Sequence, residues 1–411
     1  MPIINRLQFV MYLFAALWSL TANAFETGSD KLRINGYGTL GLAHTNSKDA
    51  YYRLNLDQEG FRDGYDLKNL SNLGLQINYF FSDTLEFNTQ LLLKDVPDYS
   101  ANRAFKTAFL KYQPNSQFDI SLGRMTNDAY LLSDYKDVGF ARLWAHVPVE
   151  FYGPVSTDGY DGIRLQYHQP FNDGVFSTSV WGGTTKYPLY SRNGSASVKL
   201  QPNMGLILRW EDQTWLFRLF YSQGKINSPN DRLKALDKAL IQAEQFGWNG
   251  ASSIGPFTYD DTWLRYLSAG VSYERDGWVI STELSYAKSD STYNDDALSG
   301  YLSIGHRFDS VTPFIMLSQT KSLSNREKVD AAPAGFDSLQ QIAQVVADLT
   351  YRDQHSLSLG ARWDIMQKVS LKAQWDRTWI GAYGGVLFES QPNPSQDHSI
   401  DTVSITMDFI F

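Results

Sequence analysis

The chain has 411 residues, 43% hydrophobic and 14% aromatic, with no cysteine, a formal charge of −8 and a mean hydropathy of −0.33. The lack of cysteine excludes a secreted domain stapled by disulfides, and the mild acidity argues against a nucleic-acid partner, which favours a basic patch. Many aromatics at low mean hydropathy fit a wall with one apolar and one polar face.

The N-terminal stretch reads as a secretory signal. Arg6 is the only charge before Glu26; an apolar run from Leu7 to Leu20 follows, and Ala22-Asn23-Ala24 puts small residues where a signal peptidase reads. Cleavage after Ala24 is expected. It leaves 25–411 as one domain and, with Arg6 gone, takes the charge from −8 to −9. The run is too short to cross a ~30 Å hydrocarbon layer comfortably, and no later stretch is apolar for long enough to form a spanning helix.

From there the sequence alternates with period two. Leu73, Leu75, Ile77 and Tyr79 oppose Asn72, Gly74, Gln76 and Asn78, and Val403, Ile405, Met407, Phe409 and Phe411 oppose Thr402, Ser404, Thr406 and Asp408. Each is a strand with one apolar face. Sixteen such segments are predicted near 31–44, 69–80, 84–95, 103–113, 117–125, 160–169, 174–183, 202–211, 214–223, 263–275, 277–287, 299–308, 312–320, 355–364, 368–379 and 400–411. Short connections such as Ser82-Asp83 and Arg275-Asp276 alternate with long ones, among them 45–68, 126–159, 184–201, 224–262 and 321–354. An all-β transmembrane antiparallel barrel has this asymmetry, with short periplasmic turns and long external loops.

Outward aromatics should gather at the membrane interfaces of such a barrel. Phe81 and Phe87, Tyr112 and Phe118, Trp210 and Trp215, Tyr273 and Trp278, Phe308 and Phe314, and Trp363 flank the short turns. Phe411 joins this belt. His306 falls on the same lipid-facing phase, which points to a bulge or a local register change. Two long connections carry helical periodicity: one enters at Ser228-Pro229-Asn230 and runs through Leu233, Leu236, Leu240 and Ala243, and the other spans Asp337 to Asp348. Packing over the barrel mouth is their expected role.

Gly36-Tyr37-Gly38-Thr39-Leu40-Gly41 matches a dinucleotide fingerprint in letters, but it lies inside an alternating strand with no helix after it. Gly36 and Gly38 face outward without bulk, which favours a subunit contact there. Six scattered histidines and no cysteine make a zinc site improbable, and no G-x-S-x-G elbow or acid/base dyad is present. No catalytic residue, metal or cofactor is therefore expected.

The connection after Phe118 to Arg124 is the informative one. It runs some 35 residues to Tyr160 and carries Tyr130, Leu131, Phe140, Trp144, Phe151 and Tyr152. A long connection this apolar packs against something. Sixteen strands enclose a lumen too wide for wall side chains to fill, so the loop is expected to fold inward.

Here the chain resembles the general Gram-negative porin family. The resemblance rests on Ile34 to Leu40, on Ser71-Asn72-Leu73-Gly74-Leu75, on Ser121-Leu122-Gly123-Arg124 before the third long loop, and on the closing strand with its terminal Phe411. It implies a homotrimer of sixteen-stranded barrels in the outer membrane, contacting lipid and lipopolysaccharide and inserted by the barrel-assembly machinery, with Phe409 and Phe411 as the assembly signal. It also implies an inward third loop whose acids face basic wall residues. Asp128, Asp134 and Asp137 (with Glu150) are the loop acids; Arg124, Arg164, Arg218 and Lys372 are the wall cations, Arg124 only if its strand is bulged. Passive diffusion of small hydrophilic solutes and ions is the function implied; separately, the mature charge of −9 leans the expectation towards cations. The alternatives are a channel specific for sugars or organic anions, with inward Tyr37, Trp181 and Phe220 as an aromatic stripe, and, from other classes, an outer-membrane adhesin or enzyme or a soluble secreted β-sandwich.

Overall fold

The computed structural model describes residues 30–411 apart from 49, 98, 155–158, 192–193, 229, 292–295, 386–388 and 391–396. The expected signal segment and its cleavage site, and Pro229 of the helix entry, lie outside the described residues.

Sixteen antiparallel strands form one closed sheet: β1 (Leu32–Thr45), β2 (Asn72–Ser82), β3 (Leu85–Lys94), β4 (Phe105–Asn115), β5 (Phe118–Thr126), β6 (Gly159–Phe171), β7 (Gly174–Ser191), β8 (Gly194–Glu211), β9 (Trp215–Ile226), β10 (Trp263–Arg275), β11 (Trp278–Ser289), β12 (Ala297–His306), β13 (Val311–Ser322), β14 (Asp353–Met366), β15 (Val369–Ile380) and β16 (His398–Ile410). Each pairs with the next, and β16 closes on β1 from Tyr37 opposite Ile410 to Thr45 opposite Thr402. The wall therefore has no free edge. Short pairings tie the external loops: Gly64–Asp66 lies along the end of β1, and Glu389–Ser390 joins Ala50–Tyr51.

The turns are as tight as the alternation requires. Between β10 and β11, Asp276 and Gly277 both have positive φ (51° and 81°), the twist a two-residue hairpin needs. The exterior is apolar: on β9, Trp215, Phe217, Leu219 and Tyr221 are exposed while Arg218 and Phe220 between them are buried. An apolar band around a closed barrel faces lipid. Phe81, Tyr112, Phe118, Trp215, Trp278, Phe308 and Trp363 stand exposed beside the short turns as the expected girdle.

Two positions sharpen that girdle. His306 does face outward, and no bulge is needed. Its ring lies 4.8 Å from Trp278 and 4.5 Å from Phe308, so it is a member of the belt, an amphipathic ring at the interface. Phe314 is not a member. It is 5% exposed, points into the barrel and covers Gly360, because β13 turns Val311 and Ile315 outward instead.

The glycines of β1 have a partner within the chain. The rings of Phe411 and Phe409 lie over Gly36 and Gly38, and a Cβ on Gly38 would come within 2.5 Å of the Phe409 ring. Gly36 and Phe411 also exchange two backbone hydrogen bonds of 2.9 Å. The missing outward bulk on β1 is thus room for the closing strand, which removes the reason for reading it as a subunit contact.

On the long-loop side, β7 and β8 continue as an 18-residue pair where a loop over 184–201 was expected. About ten residues cross a membrane, so this hairpin projects well beyond it. Its Tyr190 carbonyl accepts a 2.6 Å bond from Arg53 of the first loop. The two expected helices form, as Asp231–Gln245 and Asp337–Asp348. Asn230 caps the first by accepting from the backbone of Arg232 and Leu233. They bury Leu236, Leu240, Trp248, Phe257, Ala343 and Ala347 against one another, a small second core outside the barrel.

Candidate functional site: the inserted third loop and the gap beside it

The connection after β5 enters the barrel and is fastened along half of its wall. Ser268 (β10) donates to the Ala129 carbonyl at 2.7 Å, and Arg218 (β9) donates to that of Tyr130. Glu283 (β11) accepts from the Leu131 amide at 2.8 Å and from the Tyr152 hydroxyl. The indole of Trp144 donates to Ser303 (β12) at 2.7 Å. Arg362 (β14) donates to the carbonyls of Phe140 and Arg142. Lys372 (β15) donates to those of Gly139 (2.6 Å) and Trp144 (3.2 Å) and pairs with Asp408 (β16) at 3.0 Å. Gln374 and Asp376 (β15) hold the Ala145 amide and the His146 ring, at 3.0 and 2.9 Å.

Glu150 sits in the short helix Val149–Tyr152, 1% exposed, and accepts from Ser318, Gln354 and Ser356. Burying a carboxylate is costly unless its oxygens are satisfied, and here three donors from β13 and β14 satisfy them. His146, also on the loop, is raised above the ordinary imidazole range: burial pulls it down, but the charge and hydrogen bond of Asp376 outweigh that.

Between these polar ties lies an aromatic core inside the barrel. Tyr130, Trp144, Phe151 and Tyr152 of the loop pack with Tyr160, Trp181, Phe220, Tyr301 and Phe314 of the wall. Trp181 and Phe220 stack at 6.2 Å, and Tyr160 lies 4.4 Å from Trp181. The residues read as a pore-lining aromatic stripe are therefore covered: Trp181 and Phe220 seat the loop, and Tyr37 lies over Gly74 of the neighbouring strand.

The loop leaves a gap against β6 to β9. A cavity of about 110 Å³ is lined by Asp128 and Asp134 from the loop and by Arg164, Gln166, Ser177, Ser179, Ile207, Arg209 and Arg218 from the wall. Asp128 is shared by two arginines at ion-pair range, 3.5 Å to Arg164 and 3.6 Å to Arg218. Asp134 accepts from Thr126 at 3.2 Å. Burial, and then the charge of Asp134, push the Asp128 carboxyl above its ordinary range, while Arg218 and Arg164 pull against this.

Of the residues singled out in the sequence, Asp128, Asp134, Arg164 and Arg218 come together. Asp137 does not join them; it pairs with Lys106 of β4. Lys372 does point inward, but it is sealed beneath the loop. Arg124 keeps the outward phase of Ile120 and Leu122. It pairs with Asp161 at 2.8 Å on the outer face and bonds the Asn102 and Phe105 carbonyls, so it is no part of the gap. Arg209 was missed, although its phase alternates correctly with the outward Leu208 and Trp210; it lies close to a turn rather than at mid-strand. Glu283 was missed too. Its phase was legible but its loop partners were not.

Comparison with solved structures gives the same architecture. The chain is similar to OmpF of Salmonella typhi, solved in complex with daunomycin (TM-score 0.55, 13% identity, 94% of this chain and 99% of that one), and to the anion-selective porin of Comamonas acidovorans (0.53, 13%, 92% and 99%). It is also similar to the outer membrane channel DcaP of Acinetobacter baumannii (0.53, 10%, 93% and 99%). No protein-family model and no curated protein matches it. The fold is that of Gram-negative porins, and a closed barrel with an apolar exterior is a multi-pass protein of the outer membrane.

Proposed function

We propose that this protein is a non-enzymatic diffusion channel for small hydrophilic solutes and ions. The observation that carries the reading is the inserted loop, which fills the lumen along β9 to β16 and leaves a charged gap against β6 to β9. Asp128 and Asp134 on one side and Arg164, Arg209 and Arg218 on the other form the constriction of this reading. Opposed charges across a narrow gap with low-dielectric walls set up a transverse field, which orients dipolar solutes and sets ion preference.

The same reading includes removal of residues 1–24 on export, insertion by the barrel-assembly machinery through the Phe409 and Phe411 end, contact with lipid and lipopolysaccharide, and assembly as a homotrimer. The test is single-channel recording of purified, folded protein in a planar bilayer. Discrete conductance steps are expected; folded protein that yields none refutes the channel. A second reading, a channel preferring organic anions, is favoured by the three arginines that line the gap. Preference for sugars loses its support with the covering of Trp181 and Phe220.

A further inference from the structure

The inward cations of the loop and wall are not all alike. Lys372 uses its ammonium on two carbonyls and Asp408. Arg362 bonds Asp364 at 2.8 Å and two carbonyls. Lys106 has Asp137, and Arg142 donates to the carbonyls of Lys136 and Ala145 with its terminal nitrogens, leaving its Nε open. These are ties, with their main donors spent.

The three arginines of the gap differ in lining a cavity, and Arg218 also in leaving a terminal nitrogen open. The Arg218 side chain is 6% exposed. Its Nη1 donates to the Tyr130 carbonyl, but Nε and Nη2 have no hydrogen-bond acceptor among the described residues. Nε of Arg164 and Nε of Arg209 are buried without an acceptor as well. Across from them, Oδ1 of Asp128 is also without a hydrogen bond. At 3.5 and 3.6 Å the Asp128 carboxylate is near enough to neutralise its two arginines but too far to bond either well. Buried guanidinium donors left open are costly, and what closes them best is a group that only accepts and carries several oxygens.

We propose that this gap is a binding site for small oxyanions, carboxylates or phosphate, and that Asp128 is a tethered competitor that holds Arg164 and Arg218 when no solute does. The proposal rests on the channel reading and names the solute class of its constriction. At about 30 Å³ per liquid water, the 110 Å³ cavity takes about four waters, or one phosphate or acetate. Ser179 and Gln166 add neutral donors along the same wall. Charge balance explains the competitor. Arg209 is held by Glu211, and Asp128 and Asp134 face the other two arginines. An entering anion is accommodated when Asp128 swings away, and Asp128 is the group held at the poorest distances.

The test is the chloride current of the full-length channel in a planar bilayer, with inorganic phosphate, and separately acetate, replacing chloride at constant ionic strength and pH. Block that saturates with either anion is expected. Arg164→Gln should raise the half-blocking concentration tenfold or more. Among the described residues Arg164 donates to no loop carbonyl and meets the loop at Asp128, so this variant keeps the loop's ties to β9 through β15. Arg218→Gln should do the same, and Asp128→Asn should lower that concentration severalfold. Current that falls in simple proportion to chloride, equally in all variants, overturns the site while leaving the channel standing. Weaker block in Asp128→Asn overturns the competitor. Folded protein with no conductance at all refutes the channel reading instead.

Discussion

Lys372 lies inside the barrel with its side chain 0% exposed, and its three ammonium protons have three acceptors: the Gly139 and Trp144 carbonyls and Asp408. Lys372→Met removes the paired cation and leaves Asp408, among the described residues, hydrogen-bonded to the hydroxyls of Thr39 and Thr406, at 2.6 and 3.1 Å. Breaking a buried pair by removing one partner costs about 3–5 kcal/mol. The strand ladder offers no relief, since each barrel strand is paired on both sides. The relief available is for the loop to leave its seat and let water reach Asp408. At about 1.4 kcal/mol per tenfold, the seated state should lose roughly a hundred- to several-thousand-fold of its advantage. Single-channel recording reads this as a larger, noisier conductance. In Lys372→Met/Asp408→Asn the charge stress is gone and two loop carbonyls still lack donors, about 1–3 kcal/mol for each such group, so the disturbance should be intermediate. Unchanged conductance and noise, with a shifted reversal potential, would show that Lys372 faces the pore and refute the anchor.

Gly36→Ala puts a Cβ inside the envelope of the Phe411 ring, and overpacking of this kind costs about 1–3 kcal/mol; urea unfolding of the bilayer-inserted barrel should show it, and adding Phe411→Ala should make matters no worse than Phe411→Ala alone. For pH, the raised Asp128 carboxyl faces Asp134 on the loop and Arg164, Arg209 and Arg218 on the wall, with Glu211 behind Arg209. Lowering pH from neutral towards the carboxylate range, in an experiment read by reversal potential, should protonate Asp128 before ordinary carboxylates, unmask the arginines and raise anion preference; Asp128→Asn should flatten that change.

The barrel was legible because lipid outside and water inside impose opposite demands on successive residues. Where those demands lapse, so does the pattern. Beyond the membrane the β7–β8 hairpin has no lipid on its outer face, so Lys186 and Gln201 stand exposed there; its inner face packs Tyr187, Leu189, Val198 and Leu200 on Ile226, and the register shifts between Leu200 and Asn203, so the apolar-out phase is lost and strand reads as loop. At β13 the inner face is apolar too. Phe314 and Met316 seat the loop while Val311 and Ile315 face lipid, so the phase of Phe314 is ambiguous from sequence. The inward phase of Lys372 was readable, but the Gly139 carbonyl that uses it is 233 residues away and leaves no trace in local spacing.

The lumen core alters which wall charges can act on a solute. A loop held only at its ends would shift, and any inward charge would then meet the stream. This loop is tied to β9 through β15 by side-chain bonds and packs four aromatic rings of its own on five of the wall, and interiors of that density behave as solids. Glu283, Arg362, Lys372 and Asp376 are inward by phase yet lie beneath it, and their charges are met by loop groups within 3 Å or so. Among the described residues, the wall charges that line the gap are Arg164, Arg209 and Arg218 of β6, β8 and β9. Selectivity should therefore follow Arg164, Arg209 and Arg218 with Asp128 and Asp134, whereas inward charges on β11 to β15 should govern whether the loop stays in place.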